Sequence, residues 1–390
     1  MPPSRSTEPH VPEVLIAGGG VAALEAALAL RTTSTPATLG ITMLAPDRSV
    51  RYPPLSVLEP FAAVPEAGSL AAFAADVGAR LVPGSLAAVD VDARTAWTHD
   101  GATLEYDALL VAIGARAEVA VRGAIPFRGA QDAEAVRAAV DDLRGGGMLA
   151  FVVPASVSWS LPAYELALLA AARLGGGSGP AVRVVTAEQA PLQAFGADGS
   201  AVVAGKLDEH GIVLHCDAAV DRLSPGSILL QDGRRLAAER VVALPVAVGR
   251  PVAGIGGADG FLTTDEDGRV RACPHVYAAG DATARPYKQG GLACQQADAA
   301  AAAIAADLGV PAPPAPYRPV LRGVLVSADA PAYLRRALDE RIDAPGEALL
   351  NARATGPWPG GKVVGRHLGP YLARRAWGPG GPEAPLRLPG

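Results

Sequence analysis

A glycine-rich turn near the start of the chain constrains the fold more than any other feature of this sequence. The segment from Val14 to Glu25 reads VLIAGGGVAALE, in which an apolar strand runs into three glycines and then into an apolar helix. This arrangement suits a dinucleotide pyrophosphate, because the unpaired N–H groups and the dipole at a helix N-terminus attract anions. Gly18 is predicted to make the tight turn and Gly20 to admit the phosphates, while Ala23 replaces a third glycine. An ordinary strand-to-helix turn is the alternative in a chain rich in alanine and glycine.

Length and composition narrow the class of protein. The 390 residues suffice for two or three domains with separate cores, and the net charge of −5 comes without a basic cluster. We therefore expect no nucleic-acid partner. The N-terminal segment at 1–10 lacks the apolar core of a signal peptide, and no apolar run approaches the ~18 residues that span a membrane. A cytoplasmic location is the simplest expectation.

The cysteines and histidines have no pattern typical of a metal site. Cys216, Cys273 and Cys294 are far apart in the sequence, and their odd number argues against a disulfide framework. The six histidines have no ligand spacing, so we predict no metal. Cys294 lies one turn into a predicted helix, where the pKa of a thiol can be lowered, but we interpret it as a small core residue.

The hydrophobic pattern alternates strands and helices in two successive units, which is typical of an α/β fold. In the first unit, strands are predicted at 14–17, 41–45 and 108–113, a helix at 21–30, and short antiparallel strands between 80 and 104. In the second unit, strands are predicted at 148–153, 182–186 and 240–244, and helices at 132–144, 161–174 and 201–210. A strand at 276–279, a long helix at 292–308 and a basic helix at 370–377 follow.

Two further motifs give the glycine turn its meaning. Residues 103–114 read TLEYDALLVAIG, and residues 276–282 read VYAAGDA. With these three blocks in this order, the chain resembles the flavoproteins with two dinucleotide-binding domains, the pyridine nucleotide-disulfide oxidoreductase fold. The resemblance implies two Rossmann-like three-layer α/β domains with a small C-terminal region. The implied limits are 11–119 and 245–315 for an FAD-binding domain, 120–244 for an NAD(P)-binding-like domain, and 316–390 for a C-terminal interface region.

The resemblance also implies which residues bind FAD. In the family, the aspartate of the late Gly-Asp pair binds the ribitol of FAD, and that role falls on Asp281 here. The residues predicted to contact the cofactor are Gly18, Gly19, Gly20, Val21, Ala22, Ala23, Asp47, Tyr52, Pro53, Ala112, Ile113, Gly114, Gly280, Asp281, Lys288, Gln289, Gly290, Gly291 and Leu292. Asp47 follows the usual ribose-binding position by two residues, and a simple turn after Pro46 is an equal alternative.

The segment PYKQGGLA, at 286–293, is predicted to open a helix beside the flavin. Its backbone N–H groups suit the flavin N1/O2 edge, which becomes anionic on reduction, and Lys288 adds a positive charge. We therefore predict that Lys288 is catalytic. A capping turn with a solvated lysine is the alternative.

The second unit lacks the glycines that a nicotinamide dinucleotide requires. After the strand at 148–153 the chain reads PASVSWSLPAYE, which argues against tight NAD(P)H binding. The chain resembles a subset of the family in three features, which are this degenerate turn, the Tyr-Glu pair and the segment PYKQGGLACQQAD. The subset comprises sulfide:quinone oxidoreductases, flavocytochrome c sulfide dehydrogenases and, more distantly, type II NADH dehydrogenases.

In the wider family a glutamate early in this helix approaches the flavin, sometimes paired with a lysine. Glu165 is therefore predicted to be a catalytic proton carrier, with a glutamate that merely favours a helix N-terminus as the alternative.

One departure from that subset bears on the reaction. Sulfide oxidation in the family relies on cysteines beside the flavin, but here only serines precede the Tyr-Glu pair and no cysteine follows Cys294. We therefore expect an FAD-dependent oxidoreductase that passes electrons from a small-molecule donor to a quinone or other acceptor without a sulfur relay. One alternative is an NAD(P)H:acceptor reductase in which Glu188 binds ribose. Another is an FAD-binding redox sensor or scaffold without turnover.

The C-terminal segment at 361–377 mixes Lys and Arg with Leu, Tyr and Trp. In the quinone-reducing subset this region docks on the membrane and gives quinone access to the flavin. A basic amphipathic segment suits peripheral contact with the inner face of a membrane. A homodimer interface and a helix packed on the FAD-binding domain are equally compatible with the pattern.

Overall fold

The computed structural model describes residues 10–50, 52–64, 68–143, 146–175, 181–338, 347–350, 362–363 and 365–375. The first elements are β1 (Glu13–Ala17), α1 (Val21–Arg31), β2 (Gly40–Ala45), α2 (Leu70–Asp76), β3 (Arg80–Pro83), β4 (Leu86–Asp90), β5 (Thr95–Thr98), β6 (Thr103–Glu105), β7 (Ala108–Val111) and β8 (Arg116–Glu118). The next are β9 (Ile125–Pro126), α3 (Ala133–Asp141), β10 (Met148–Val153), α4 (Leu161–Leu174), β11 (Ala181–Thr186), α5 (Gly196–Glu209), β12 (Val213–His215), β13 (Val220–Ser224), β14 (Ser227–Leu230), β15 (Arg235–Ala237) and β16 (Arg240–Ala243). The last are β17 (Val246–Val248), β18 (Val276–Ala278), α6 (Gly290–Asp307), β19 (Val320–Leu325), β20 (Ala332–Ala337), β21 (Glu347–Leu350) and α7 (Leu368–Arg374). Short 3-10 turns lie at Pro53–Leu58, Ala130–Asp132, Gln193–Phe195, Ala258–Gly260 and Gly280–Ala282.

Five parallel strands form the first sheet, in the order β18-β7-β1-β2-β3. Val14, Leu15 and Ile16 of β1 are fully buried, as expected where both faces of a parallel sheet are covered. Because β1 lies between β2 and β7, the strand order reverses there, and such sheets bind ligands in the crevice at the carboxyl ends of the strands. The turns after β1, β7 and β18 meet at this edge.

A second parallel core, β12-β11-β10-β16-β9, repeats the pattern in the next part of the chain. The antiparallel sheets β4-β5-β6 and β13-β14-β15 are inserts in the first and second units. The two-stranded ribbon β17-β8 pairs the strand that leaves the first unit with the one that returns to it. This arrangement confirms the predicted α/β class with two Rossmann-like units, and the limits given above for the domains stay a prediction.

One helix of the second unit differs from the sequence expectation. The helix α5 begins at Gly196 rather than at residue 201. Gly196 and Gly199 stand before residue 201, and glycine has a low helix propensity, but a Cβ on Gly199 would lie only 2.4 Å from the Cβ of Phe195. Glycine therefore serves close packing within the helix at this position, which outweighs its low helix propensity.

The C-terminal part contributes the sheet β19-β20-β21 and the short helix α7. Leu368, Tyr371 and Leu372 of α7 are buried in the core of the first unit, where the Tyr371 ring meets Phe73 edge-on at a centroid distance of 5.2 Å. The predicted basic helix thus packs on the first unit, the third of the alternatives for this segment, and its last residues at 376–377 lie outside the described residues. Within the described part of the chain, no helix combines the length and apolar character needed to cross a bilayer.

Candidate active site

A cavity of about 670 Å³ lies between the edge of the first sheet and the second unit. The turns after β1, β7 and β18 and the start of α6 line one side, and the approach to α4, the strand β19 and Lys362 line the other. Most of the predicted cofactor residues stand in this wall. Ala23, Tyr52, Gly291 and Leu292 lie behind it, and of these Ala23 and Leu292 are buried in the two cores.

Gly18 and Gly20 serve different purposes in the turn between β1 and α1. A Cβ on Gly18 would lie 2.2 Å from the backbone oxygen of Ala112, and its φ of +138° favours glycine. By contrast, no atom lies within 4 Å of a Cβ built on Gly20, whose φ of −88° suits any residue. Gly20 caps α1 without a side chain, so the first-turn N–H groups remain for a ligand in the cavity.

Asp281 lies in a turn that its neighbours hold in place. The backbone N–H of Gly280 donates to Oε1 of Gln296 (2.9 Å), and the hydroxyl of Thr283 donates to the carbonyl of Gly280 (2.9 Å). Burial raises the pKa of the Asp281 carboxyl, and the charge of Lys288 opposes the rise. A buried carboxylate is costly without hydrogen-bond donors, so ligand hydroxyl groups suit this part of the cavity.

The start of α6 presents backbone to the same space. Oε1 of Gln289 accepts from the N–H of Leu292 (2.8 Å) and so caps the helix, which leaves Gly290 in the cavity wall. The Lys288 ammonium donates to the carbonyl of Thr283 and lies 4.0 Å from the centre of the Phe261 ring. Burial lowers the pKa of Lys288, with Asp281 opposing. Lys288 therefore neighbours Asp281, and its catalytic role stays a prediction.

The loops at the rim also reach the cavity. Asp47, Pro53 and Ile113 line it, as does Gly114, whose φ of +68° favours glycine and around whose Cβ position no atom lies within 4 Å. Tyr52 has a different place: its hydroxyl accepts from the N–H of Val363 (2.9 Å), which ties the C-terminal segment to this loop.

Glu165 and Lys362 form a buried ion pair in the opposite wall. The Lys362 ammonium lies 2.5 and 2.6 Å from the two Glu165 oxygens, and the side chains are only 5% and 1% exposed. The N–H of Val326 donates a further bond to the carboxylate (2.9 Å). Burial raises the pKa of Glu165 and lowers that of Lys362, while each partner opposes the other's shift. A proton can thus be held at either group of a pair that borders the cavity.

The N-terminus of α4 is closed by the chain's own side chains. The Glu188 carboxylate accepts hydrogen bonds from Tyr164 (2.5 Å), Ser160 (3.0 Å) and Thr186 (3.1 Å). Pro162 stands in the first turn of α4, where it removes an N–H donor. A negative charge with satisfied hydrogen bonds therefore lies at the position where the phosphates or ribose of a nicotinamide dinucleotide would need free donors and acceptors.

Comparison with known proteins identifies the family. The model of the pyridine nucleotide-disulphide oxidoreductase family matches residues 12–303, most of the chain. The chain belongs to this family. Its members are FAD-dependent oxidoreductases, which is the enzyme class of this chain.

Individual relatives are more distant. The chain is 29% identical over 231 residues to an NADH dehydrogenase-like protein of Mycobacterium tuberculosis, a match that covers 53% of this chain and 56% of the relative. It is 31% identical over 222 residues to the ferredoxin–NAD(+) reductase component of the biphenyl dioxygenase system of Paraburkholderia xenovorans, covering 52% and 50%. The chain thus spans about half the length of the curated relatives it matches. The sulfide:quinone oxidoreductase structure from Aquifex aeolicus has the same fold, with a TM-score of 0.76 at 20% identity over 86% of this chain and 85% of that one.

The cavity fits the FAD of this pyridine nucleotide-disulphide oxidoreductase. The uncapped N-terminus of α1 would hold the pyrophosphate, since its donors and dipole favour an anion. The Asp281 carboxylate would accept from ribitol hydroxyl groups. Gly20 and Gly114 leave open space where any other residue would project a Cβ.

The cysteines lie away from this chemistry. None of the three belongs to the residues that line the cavity. Cys294 is fully buried in α6, and burial together with the nearby Glu25 raises the pKa of its thiol well above the ordinary value. It is therefore an inert core residue, as interpreted from the sequence.

Two functional features were missed by the sequence reasoning. Lys362 was treated only as part of the basic amphipathic segment at 361–377, because its partner Glu165 is 197 residues away and no local pattern connects them. Arg322, which lines the cavity from β19, lies in a part of the chain without a recognised motif. An unusual charge in an otherwise apolar strand was the one available signal for Arg322.

Proposed function

We propose that this oxidoreductase passes electrons from a small-molecule donor other than NAD(P)H, through FAD, to a quinone or another small-molecule acceptor. The observation that carries the proposal is the Glu165–Lys362 pair in the cavity wall. Reduction of a quinone consumes two electrons and two protons. Reduced FAD would supply the two electrons together with one proton, as a hydride equivalent, and the chain must then supply the remaining proton.

The buried pair suits that task. Glu165 is shielded from water, and burial favours its protonated form while Lys362 favours the charged form. Burial raises the pKa of the Glu165 carboxyl toward the working pH, and Lys362 limits the rise. A general acid is most effective when its pKa lies near the working pH. The carboxyl oxygen of Glu165 would donate a proton to the acceptor and regain it through Lys362.

The experiment uses flavin reduced by light under anaerobic conditions, so that the unknown donor is not needed. The reduced protein is mixed with naphthoquinone, and the return of the oxidised flavin absorbance is followed at several pH values. We expect Glu165→Gln to slow reoxidation about 100-fold and to remove its pH dependence, because a general acid contributes about 10²–10⁴ in rate. The exposed Glu134→Gln, a matched control, should leave both unchanged. A pH profile that is the same in Glu165→Gln and in the natural protein would exclude this role.

The second candidate is an NAD(P)H:acceptor reductase, which the names of the curated relatives favour. The hydrogen bonds to Glu188 weigh against it, because the carboxylate predicted to bind ribose already accepts from three hydroxyl groups. Contact with a membrane, a homodimer and a cytoplasmic location remain expectations. Tight flavin binding without turnover by any donor or acceptor would support the redox-sensor alternative instead.

A further inference from the structure

The strand β19 presents one arginine to the cavity. Leu321 is fully buried, and a Cβ on Gly323 would meet the Phe195 ring at 2.9 Å, so the side-chain positions of these two residues point toward the core, while the backbone of Gly323 also borders the cavity. Arg322 alternates with them and belongs to the cavity wall. Its position is therefore fixed by the packing of its two neighbours.

Hydrogen bonds hold this strand rigidly against α6. The side-chain amide of Gln289 donates to the carbonyl of Arg322 (3.0 Å). Gln295 both donates to the carbonyl of Val320 (3.0 Å) and accepts from its N–H (2.8 Å). The arginine is thus placed beside the start of α6, the element predicted to face the flavin.

The charge of Arg322 has no acidic partner within the described part of the chain. Among the described residues no carboxylate forms an ion pair or hydrogen bond with its guanidinium, and the residue opposite it in the antiparallel register is another arginine, Arg335. Burial and the charge of Arg335 both lower the pKa of Arg322. Burying a guanidinium without an anionic partner is costly, so an anion at Arg322 would relieve that cost.

The cavity also has an aromatic wall. Trp159 lines the cavity, and its ring lies 5.9 Å from that of Phe195. A flat ring bound in the cavity therefore has an aromatic side chain to pack against.

We propose that the acceptor of this cavity is an organic anion, a quinone-type ring with a carboxylate or sulfonate substituent that pairs with Arg322. The inference rests on the proposed electron transfer to a quinone and adds the charge of the substrate. Arginine suits such a group because its planar fork forms two parallel hydrogen bonds to the oxygens.

The test compares naphthoquinone with naphthoquinone sulfonate as acceptors for the photoreduced flavin. We expect Arg322→Met to raise the half-saturating concentration of the sulfonate at least about tenfold and to leave that of naphthoquinone unchanged, because the variant loses a charge-assisted hydrogen bond to the sulfonate only. Arg322→Lys should fall between. Arg271→Met, which changes an exposed arginine elsewhere, is the control. Comparing the ratio of the two quinones across variants cancels their different intrinsic reactivity.

Equilibrium titration of the oxidised protein with the sulfonate, followed by the perturbation of the flavin spectrum, gives a second readout that needs no turnover. If neither quinone reoxidises the flavin, the proposed electron transfer to a quinone fails, while the titration still tests Arg322. An unchanged affinity for the sulfonate in Arg322→Met overturns the inference. Loss of bound FAD in that variant also overturns it, because the arginine would then hold the cofactor.

Discussion

Gly18 and Gly20 stand in one turn and are glycines for different reasons. Gly18 is required by the protein itself, because a methyl group there would overlap the backbone of Ala112. Gly20 borders only the cavity, so its side-chain position is free of protein atoms. Glycine is therefore needed for the stability of the fold at Gly18 and for ligand space at Gly20.

These two roles predict opposite results for two alanine substitutions. Gly18→Ala should lower the free energy of unfolding of the apoprotein by about 3 kcal/mol or more, because backbone must move in a buried turn. Gly20→Ala should leave that value within about 0.5 kcal/mol and weaken FAD binding at least about tenfold. Chemical denaturation of both apoproteins and titration with FAD provide the measurements. Equal loss of stability in the two variants would show that Gly20 also packs against the protein.

The buried pair predicts a pH-dependent loss of stability in Lys362→Met. Without the ammonium, the folded-state pKa of Glu165 rises further above its unfolded value of about 4.3, so the folded protein binds a proton that the unfolded chain releases. Stability is then present at low pH and lost as the pH rises. We expect Lys362→Met to be destabilised by about 3–5 kcal/mol at pH 8 and clearly less at pH 5. Denaturant unfolding at both pH values measures the free energy of unfolding. The double variant Glu165→Gln/Lys362→Met is the control and should lack this pH dependence.

At the scale of elements, α7 is attached to the first unit through a second buried acid. Glu25 of α1 accepts from the N–H groups of His367 (2.8 Å) and Leu368 (2.6 Å), which satisfies donors at the start of α7. Burial, together with the nearby Glu25 charge, raises the pKa of Asp298 of α6 to about 8. The polar side-chain atoms of Glu25, Asp298 and His367 lie within 4.8 Å of one another. No spacing in the sequence indicated that these three residues would meet.

The raised pKa of Asp298 predicts the effect of Asp298→Asn. The folded-state pKa of about 8 lies above the unfolded value, so the stability it contributes is complete below about pH 4 and is lost as the pH rises to 8. The natural protein should lose up to about 1.4 kcal/mol per pH unit from this group in that interval. Asp298→Asn, a permanently neutral substitute, should flatten the slope, whereas the exposed Asp208→Asn should not. Unfolding free energies at pH 5, 6, 7 and 8 measure it, and parallel slopes in all three proteins would contradict the assignment.

At the scale of the whole molecule, local sequence patterns predicted those elements that depend on local interactions. The strands β1, β7 and β18 were predictable because buried parallel strands are continuous apolar runs, and their glycine turns mark the ligand edge of the sheet. The start of α5 was misplaced because Gly199 serves a packing contact that propensity does not describe. The second side of the cavity was not predictable, because Lys362 and Arg322 reach it only through tertiary packing of the C-terminal sheet and segment. A single sequence contains no local pattern that shows which distant charged residues meet in a cavity.

We infer that the second unit keeps the dinucleotide-binding fold but does not bind NAD(P)H. The most direct measurement is anaerobic rapid mixing of the FAD-loaded, oxidised protein with NADH and, separately, with NADPH. Because Glu188, Trp159 and Pro162 close the start of α4, we predict that the flavin absorbance stays unbleached on the time scale of seconds with either nucleotide. The same preparation, once photoreduced, should be reoxidised rapidly by a quinone. Fast bleaching by NADH or NADPH would contradict the claim and assign the protein to the NAD(P)H-dependent reductases.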